Sequence, residues 1–220
     1  MVPIIPMGIE ANHLLLLLNW MSPAFPTGAF AYSHGLEWAI ESGDVQSADD
    51  LGVWIGDLIT RGSGWNDAIL FALCWHDDPA VLNELALALC SSRERYIETT
   101  QLGRSFAMSA GVFSPQDFED GDIAYPVAAG GALAALRVNK GAALLAFLQG
   151  FCAALTSVAV RLVPLGQTQG LAVLRDLIPA ISATAERASA ATLEELGSIT
   201  LGADIAAMKH ETLHSRVFRT

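Results

Sequence analysis

The chain is 220 residues long, with 52% hydrophobic residues, only 16% charged residues and a formal net charge of −11. That length supports one large domain with its own core, and the composition excludes a disordered chain, which needs low hydrophobicity and high charge. There is no basic stripe to displace counterions from phosphates, which excludes nucleic-acid binding.

Residues 1–12 carry no periodic pattern and are expected to be a flexible N-terminal segment. Their prolines and lack of a basic start argue against a secretory signal, so the expected compartment is the cytoplasm. Ser22 to Glu41 reads SPAFPTGAFAYSHGLEWAIE. A Pro/Gly-shaped turn presents Phe25, Phe30 and Tyr32 just before a helix with Leu36/Ile40 and Glu37/Glu41 at i, i+4. Bulky aromatics beside polar groups suit a binding surface better than a catalytic pocket; the plain alternative is a packed helix–turn corner.

After a break near Gly43, Ser47 with Asp50 predicts a capping box. Leu51, Trp54, Ile55, Leu58 and Ile59 follow on one helical face. Trp38 and Trp54 are expected in the core or at an interface. A break at Arg61–Gly64 precedes a further start at Asp78–Pro79, an N-cap before an N1 proline, with Leu82, Leu85 and Leu89 behind it. Ser114, Pro115 and Asp117 repeat that signal, and Thr192 with Glu195 gives another.

Breaks also fall at Glu119–Gly121, Asn139–Gly141 and Pro164–Gly166. The twenty residues from Gly141 to Val160 carry no charge, a length that could cross a bilayer. Their dilution by Gly, Gln, Thr and Ser, their Ala content and the lack of a second span favour the centre of a helical bundle instead. The expectation is therefore no membrane span. Ala and Leu, 35 and 30 residues, are strong helix formers, and strand patterns are hard to find. The fold class read from this is all-α, one domain of about eight to ten helices, with a core over 13–202. Residues 203–220 are locally basic, lose apolar periodicity toward their end, and are expected to dock on something else.

The acidity is uneven. Residues 1–92 hold eleven acids and a single base, Arg61, whereas the rest hold twelve acids and eleven bases. Such a front suits basic partners or divalent cations. A charged fraction this far below the usual ~25% leaves apolar surface for a large partner interface. Cys74, Cys90 and Cys152 lie far apart with no CxxC, which speaks against disulfides or a cysteine zinc site.

His210-Glu211-Thr212-Leu213-His214 is a literal H-E-x-x-H. On a helix this spacing puts two imidazoles on one face to hold zinc, with the glutamate as general base. That makes a zinc-dependent hydrolase the alternative reading. The motif lies six residues from the last residue given, and no substrate-aligning strand accompanies it, so the expectation is no catalytic residue, no metal site and no cofactor. Cys74/His76 and Ser33/His34 lack the spacing of a nucleophile–base pair. There is no phosphate loop and no nucleophile elbow.

Three ordered blocks carry a resemblance. Ser22–Trp38, Val160–Gly170 (VRLVPLGQTQG) and Asp204–Thr220 (DIAAMKHETLHSRVFRT) resemble the signatures of the urease accessory protein UreF family. That pattern more often has Gln at position 34, Tyr at 214 and Ser at 220, so the second histidine of H-E-x-x-H falls on a variable position. The resemblance implies an all-α homodimer that is not an enzyme. It implies an adaptor joining the GTPase UreG to the scaffold UreD (also called UreH) on apo-urease, for nickel insertion. The residues it carries over as partner-binding are Tyr32, Ser33 and Glu37; Arg161 and Gln167; and Asp204, His210, Glu211, Ser215, Arg216, Phe218 and Arg219. Gly35, Pro164, Gly166 and Gly170 are carried over as shaping the backbone. On this reading, cutting after Ala207 leaves a folded helical dimer that no longer binds the scaffold.

Overall fold

The computed structural model of the chain describes residues 9–113 and 121–220. Among these, ten α-helices follow one another with no strand: α1 Ala11–Trp20, α2 Leu36–Glu41, α3 Ala48–Arg61, α4 Ser63–Leu73, α5 Pro79–Ala88, α6 Arg93–Ala110, α7 Tyr125–Ala135, α8 Lys140–Leu162, α9 Gln167–Ala190 and α10 Leu201–His210. The all-α class and the helix count agree with the sequence reading.

The helix starts show why. Ser47 Oγ accepts from Asp50 N at 3.2 Å while Asp50 Oδ2 accepts from Ser47 N at 3.0 Å, so α3 opens on the expected capping box. Asp78 Oδ1 accepts from Ala80 N at 2.9 Å, and Pro79 needs no partner at N1 of α5. Asn139 does the same for α8 through Ala142 N. The start expected at Ser114–Asp117 lies outside the described residues.

Thr192 differs. Glu195 Oε2 accepts from Thr192 N at 2.8 Å, but only a short 3₁₀ turn, Leu193–Glu195, follows. The chain is claimed by neighbours instead. Trp65 Nε1 donates to Glu195 O, Gly197 N to Asn66 Oδ1, and Ile199 N to Arg61 O. Once these groups are satisfied by α3 and α4, continuing the helix would gain nothing.

The hub is α4, buried along Gly64–Leu73 except at half-buried Asp67 and packed on α3, α5, α7, α8 and α9. Gly130 of α7 sits so close to α4 that a Cβ there would lie 2.6 Å from Phe71 O. Phe71 stacks on Phe147 of α8 with ring centroids 4.6 Å apart, and Tyr125 and Phe106 extend the aromatic chain to Trp20. Each such side chain contributes roughly 1.5–3 kcal/mol by leaving water. Trp38 and Trp54 pack half-buried against this core.

Helix α8 carries the uncharged run. Among the described residues it is the one helix long and apolar enough to cross a membrane, and half of its apolar window is buried against α2, α3, α4 and α9. Cys74 and Cys152 are buried, and burial pushes both thiols up to about 12; Cys90 is half-buried.

Candidate functional site

The two outer blocks of sequence meet. The turn before α2 and the segment after α10 are joined through α6 by a buried polar cluster.

The N-terminal side is set by two successive left-handed residues, His34 with φ 57° and Gly35 with φ 77°. A side chain at 35 would be strained there, and its Cβ would also meet Ala207 N at 2.7 Å. This turn aims Ser33, His34 and Glu37 inward, all three buried. From the other side α6 presents Glu94, Glu98 and Gln101, spaced i, i+4, i+7, and Arg95 beside them.

His210 ends α10 and is wholly buried. Its Nδ1 lies 2.6 Å from Glu94 Oε2 and its Nε2 lies 3.0 Å from Glu37 Oε2. Both ring nitrogens thus lie within hydrogen-bond distance of a carboxylate oxygen. Glu37 then accepts from the backbone of the tail: Val217 N at 2.7 Å and Phe218 N at 2.9 Å. Arg216 Nη1 donates to the other oxygen of Glu94 at 2.6 Å. Glu211 Oε1 accepts from Arg93 N at 2.9 Å, so it caps the first turn of α6 from outside that helix.

The tail closes on the turn. Ser33 N donates to Thr220 O at 2.8 Å, Ser33 Oγ donates to the same oxygen, and Arg219 N donates to Ala31 O at 2.8 Å. Thr220 Oγ1 donates to Glu98 Oε2 at 2.8 Å. Phe218 is buried, with the Arg161 guanidinium 4.4 Å above its ring, and Arg161 Nη1 donates to Phe30 O at 3.0 Å. Arg161 thus ties the middle block to both outer ones. Tyr32 donates to Gln101 Oε1, which Arg219 also approaches.

A second layer lies beneath. His34 is pushed below the usual histidine range by burial and by the Arg95 charge, so its ring is neutral at pH 7. Its Nδ1–H donates to Glu98 Oε1 at 3.1 Å, and its Nε2 accepts from Ser63 Oγ at 2.6 Å. Burial works against ionised Glu98, but Arg95, 2.6 Å away, more than offsets it and holds that carboxyl well below the carboxylate range. Asp67 has no hydrogen-bond donor among the described residues. Burial raises its pKa to about 6, against the opposing pull of Arg95. Asp67, Arg95 and Thr99 stand between two cavities, one of about 180 Å³ walled by Tyr125, Phe147 and Phe151 and one of about 100 Å³ beside Cys90.

The carried-over residues therefore divide. Tyr32, Ser33, Glu37, His210 and Phe218 are buried with partners inside this chain, while Glu211 is half-buried at the start of α6. Arg161, Arg216 and Arg219 reach the surface while holding internal contacts. Gln167 and Ser215 are exposed, and Asp204 is half-buried beside the smaller cavity. The sequence reading missed Glu94, Arg95, Glu98 and Gln101. Their spacing marks one face of a helix, but charges at that spacing ordinarily describe a solvated face.

The H-E-x-x-H spacing does not survive folding. α10 stops at His210, so His214 is not one helical turn beyond it and points to solvent. Both nitrogens of His210 face carboxylates, and Glu211 caps a helix. Among the described residues no group of three or more His, Cys, Asp or Glu is placed to hold a metal ion.

The profile of the UreF family matches residues 45–178. The chain belongs to the UreF family. Relatives extend the match beyond that span: the urease accessory protein UreF 1 of Brucella anthropi is 45% identical over 214 residues, 94% of each chain. UreF of Methylorubrum populi is 45% identical over 221 residues, 94% of this chain and 98% of its own. UreF of Cereibacter sphaeroides is 47% identical over 209 residues, again 94% and 98%. The turn at Ser33–Glu37 and the tail after Asp204 lie outside the span of the family profile, whereas Glu94, Glu98 and Arg161 lie within it.

Proposed function

We propose that this UreF chain is a non-catalytic adaptor in urease maturation. It links the GTPase UreG to the scaffold UreD/UreH on apo-urease, so that nickel, the cargo, reaches the urease active site. The observation that carries this reading is the ordered tail. Residues 211–220 have no helix of their own, yet they are held on the body by charge-assisted hydrogen bonds that they donate to Glu37, Glu94 and Glu98. A segment fixed at that cost in side-chain ordering leaves Arg161, Ser215, Arg216 and Arg219 at defined places on the outside, as a rigid contact surface requires. Gln167, at the first turn of α9, belongs to the same reading.

A cytoplasmic homodimer completes the proposal. Leu14, Leu15 and Leu18 of α1 and Met108, Val112 and Phe113 at the end of α6 form exposed apolar surface that a second copy would cover. The zinc-hydrolase alternative has no support in the geometry, because its two histidines do not share a helix face.

The test is urease activity in nickel-replete cells with and without this chain. Loss of activity with urease subunits still present, and rescue by the intact chain, is the expected outcome. Unchanged activity with no second copy of the gene to substitute would overturn the reading. Light scattering of the purified chain tests the dimer.

A further inference from the structure

Helix α10 is built inside out. Its inward face is small: Ala206 and Ala207 are buried against α2, which approaches through Gly35, and His210 locks the end. Its bulky apolar residues, Leu201, Ile205 and Met208, follow the spacing i, i+4, i+7 and lie on the other face, 70%, 52% and 49% exposed. A helix that served only its own fold would turn this stripe inward. Here the buried clamp fixes the opposite orientation.

The stripe does not stand alone. Ile199, just before α10, is 73% exposed, and Val53 of α3 is 66% exposed. Val53, Ile199 and Leu201 line one groove of about 470 Å³ between α3 and the start of α10. Trp54 forms part of its wall and keeps a buried indole N–H without an acceptor among the described residues. The groove is acidic. Asp44, Asp50 and Asp57 line it, and its one base, Arg61, is already bonded to Asp57. Asp50 is held ionised by its hydrogen bonds from Ser47 and Gln46.

We propose that this face, the outward stripe of α10 with Ile199, Val53 and the acidic groove wall, docks a protein segment that presents apolar side chains flanked by Lys or Arg. The charge decides the occupant. A second copy brings the same acids and would set like charges around an apolar centre. Anionic lipid or nucleic acid is repelled for the same reason. A basic, apolar-centred polypeptide satisfies both the stripe and the wall. The inference rests on the adaptor reading, because it assigns one of the adaptor's partners to this face.

The experiment measures binding of purified full-length chain to purified UreD/UreH scaffold and, separately, to purified UreG. The variants are Leu201→Glu and Ile205→Glu on the stripe, Asp44→Lys on the wall, and Val81→Glu on the exposed face of α5 as a control. All four positions are exposed, so each variant should keep the helical circular dichroism and unfolding midpoint of the parent.

The expected result is binding of one partner weakened about tenfold or more by either stripe variant. Asp44→Lys should weaken it several-fold and flatten its dependence on salt, with Val81→Glu leaving that partner unaffected. If the parent binds a partner and both stripe variants bind it equally well, the proposed face is wrong while the adaptor reading stands. If the stripe variants alter only the dimer mass, the face belongs to a second copy and the proposal is overturned. If the parent binds neither partner, the adaptor reading falls and takes this assignment with it.

Discussion

Two regions of this protein are buried to a similar degree by different means. Around α4 and α8 the interior is aliphatic and aromatic, and contacts there are non-directional. Between α2, α6 and the tail, the interior is carboxylates, imidazole, guanidinium and backbone N–H groups. The first region asks only for apolar side chains of about the right volume. The second asks for a given donor opposite a given acceptor, and any unmatched group costs its full desolvation. Apolar packing makes the domain; the polar clamp places one segment on it.

The sharpest way to break this contrast is truncation after Ala207. It removes His210, Phe218 and Thr220 together and strips Glu37 and Glu94 of their partners, while Glu98 keeps Arg95 and His34. The loss should exceed ~5 kcal/mol, since breaking one buried pair costs about 3–5 kcal/mol. The expected outcome is a destabilised product, in contrast to the folded, merely binding-deficient one expected from the sequence. Urea unfolding followed by circular dichroism decides it: a midpoint close to that of the parent would show that the clamp adds no stability.

Conservative exchanges sharpen the comparison. Leu144→Met in α8 should cost under about 1.5 kcal/mol. Glu37→Gln, equally conservative in shape, should cost about 2–3 kcal/mol. Its amide cannot accept at both positions, so one of the donors from His210, Val217 and Phe218 is stranded. Equal unfolding midpoints for the two variants would erase the distinction drawn between the regions.

Asp67 gives a pH-dependent test with the opposite sign. Its folded pKa of about 6 lies above the ordinary aspartate value, so the folded state binds the extra proton and ionising Asp67 destabilises the fold. The penalty is absent below about pH 4, grows between there and pH 6, and is complete above. Asp67→Asn should therefore stabilise the protein by about 1–3 kcal/mol at pH 7–8 and by nothing near pH 4. A difference independent of pH would remove Asp67 from that role. The smallest effect belongs to Arg216→Ala. Its guanidinium is more than a third exposed, so stability should fall by no more than about 1 kcal/mol, read as a shift of a few degrees in thermal unfolding.

The legibility of the sequence follows the same division. Helix α3 was readable because Ser47–Asp50 and the Leu51–Ile59 stripe are local signals. The uncharged run of α8 was readable as a core helix for the same reason. The turn at Gly35 and the block after Asp204 stood out only through resemblance. Nothing local says that Glu37 caps Val217 or that Glu211 caps α6, since these bonds join residues far apart in the chain. Glu94 and Glu98 look like ordinary surface charges until α10 is laid over them. The short turn at Thr192 misled because its helix-start signal is real, while the partners that end it, Asn66 and Arg61, belong to other helices.

The clamp also imposes an order in time. Glu37, Glu94 and Glu98 are synthesised long before His210, Arg216 and Thr220, which complete them. Until residues 210–220 emerge, Glu37 and Glu94 lack their partners from the tail, and Arg93 N at the start of α6 lacks its acceptor. The body can collapse around α4 early, but the outward stripe of α10 is held in place only after His210 and the tail have closed. A partner that reads that surface therefore meets it only on chains whose synthesis has passed residue 220.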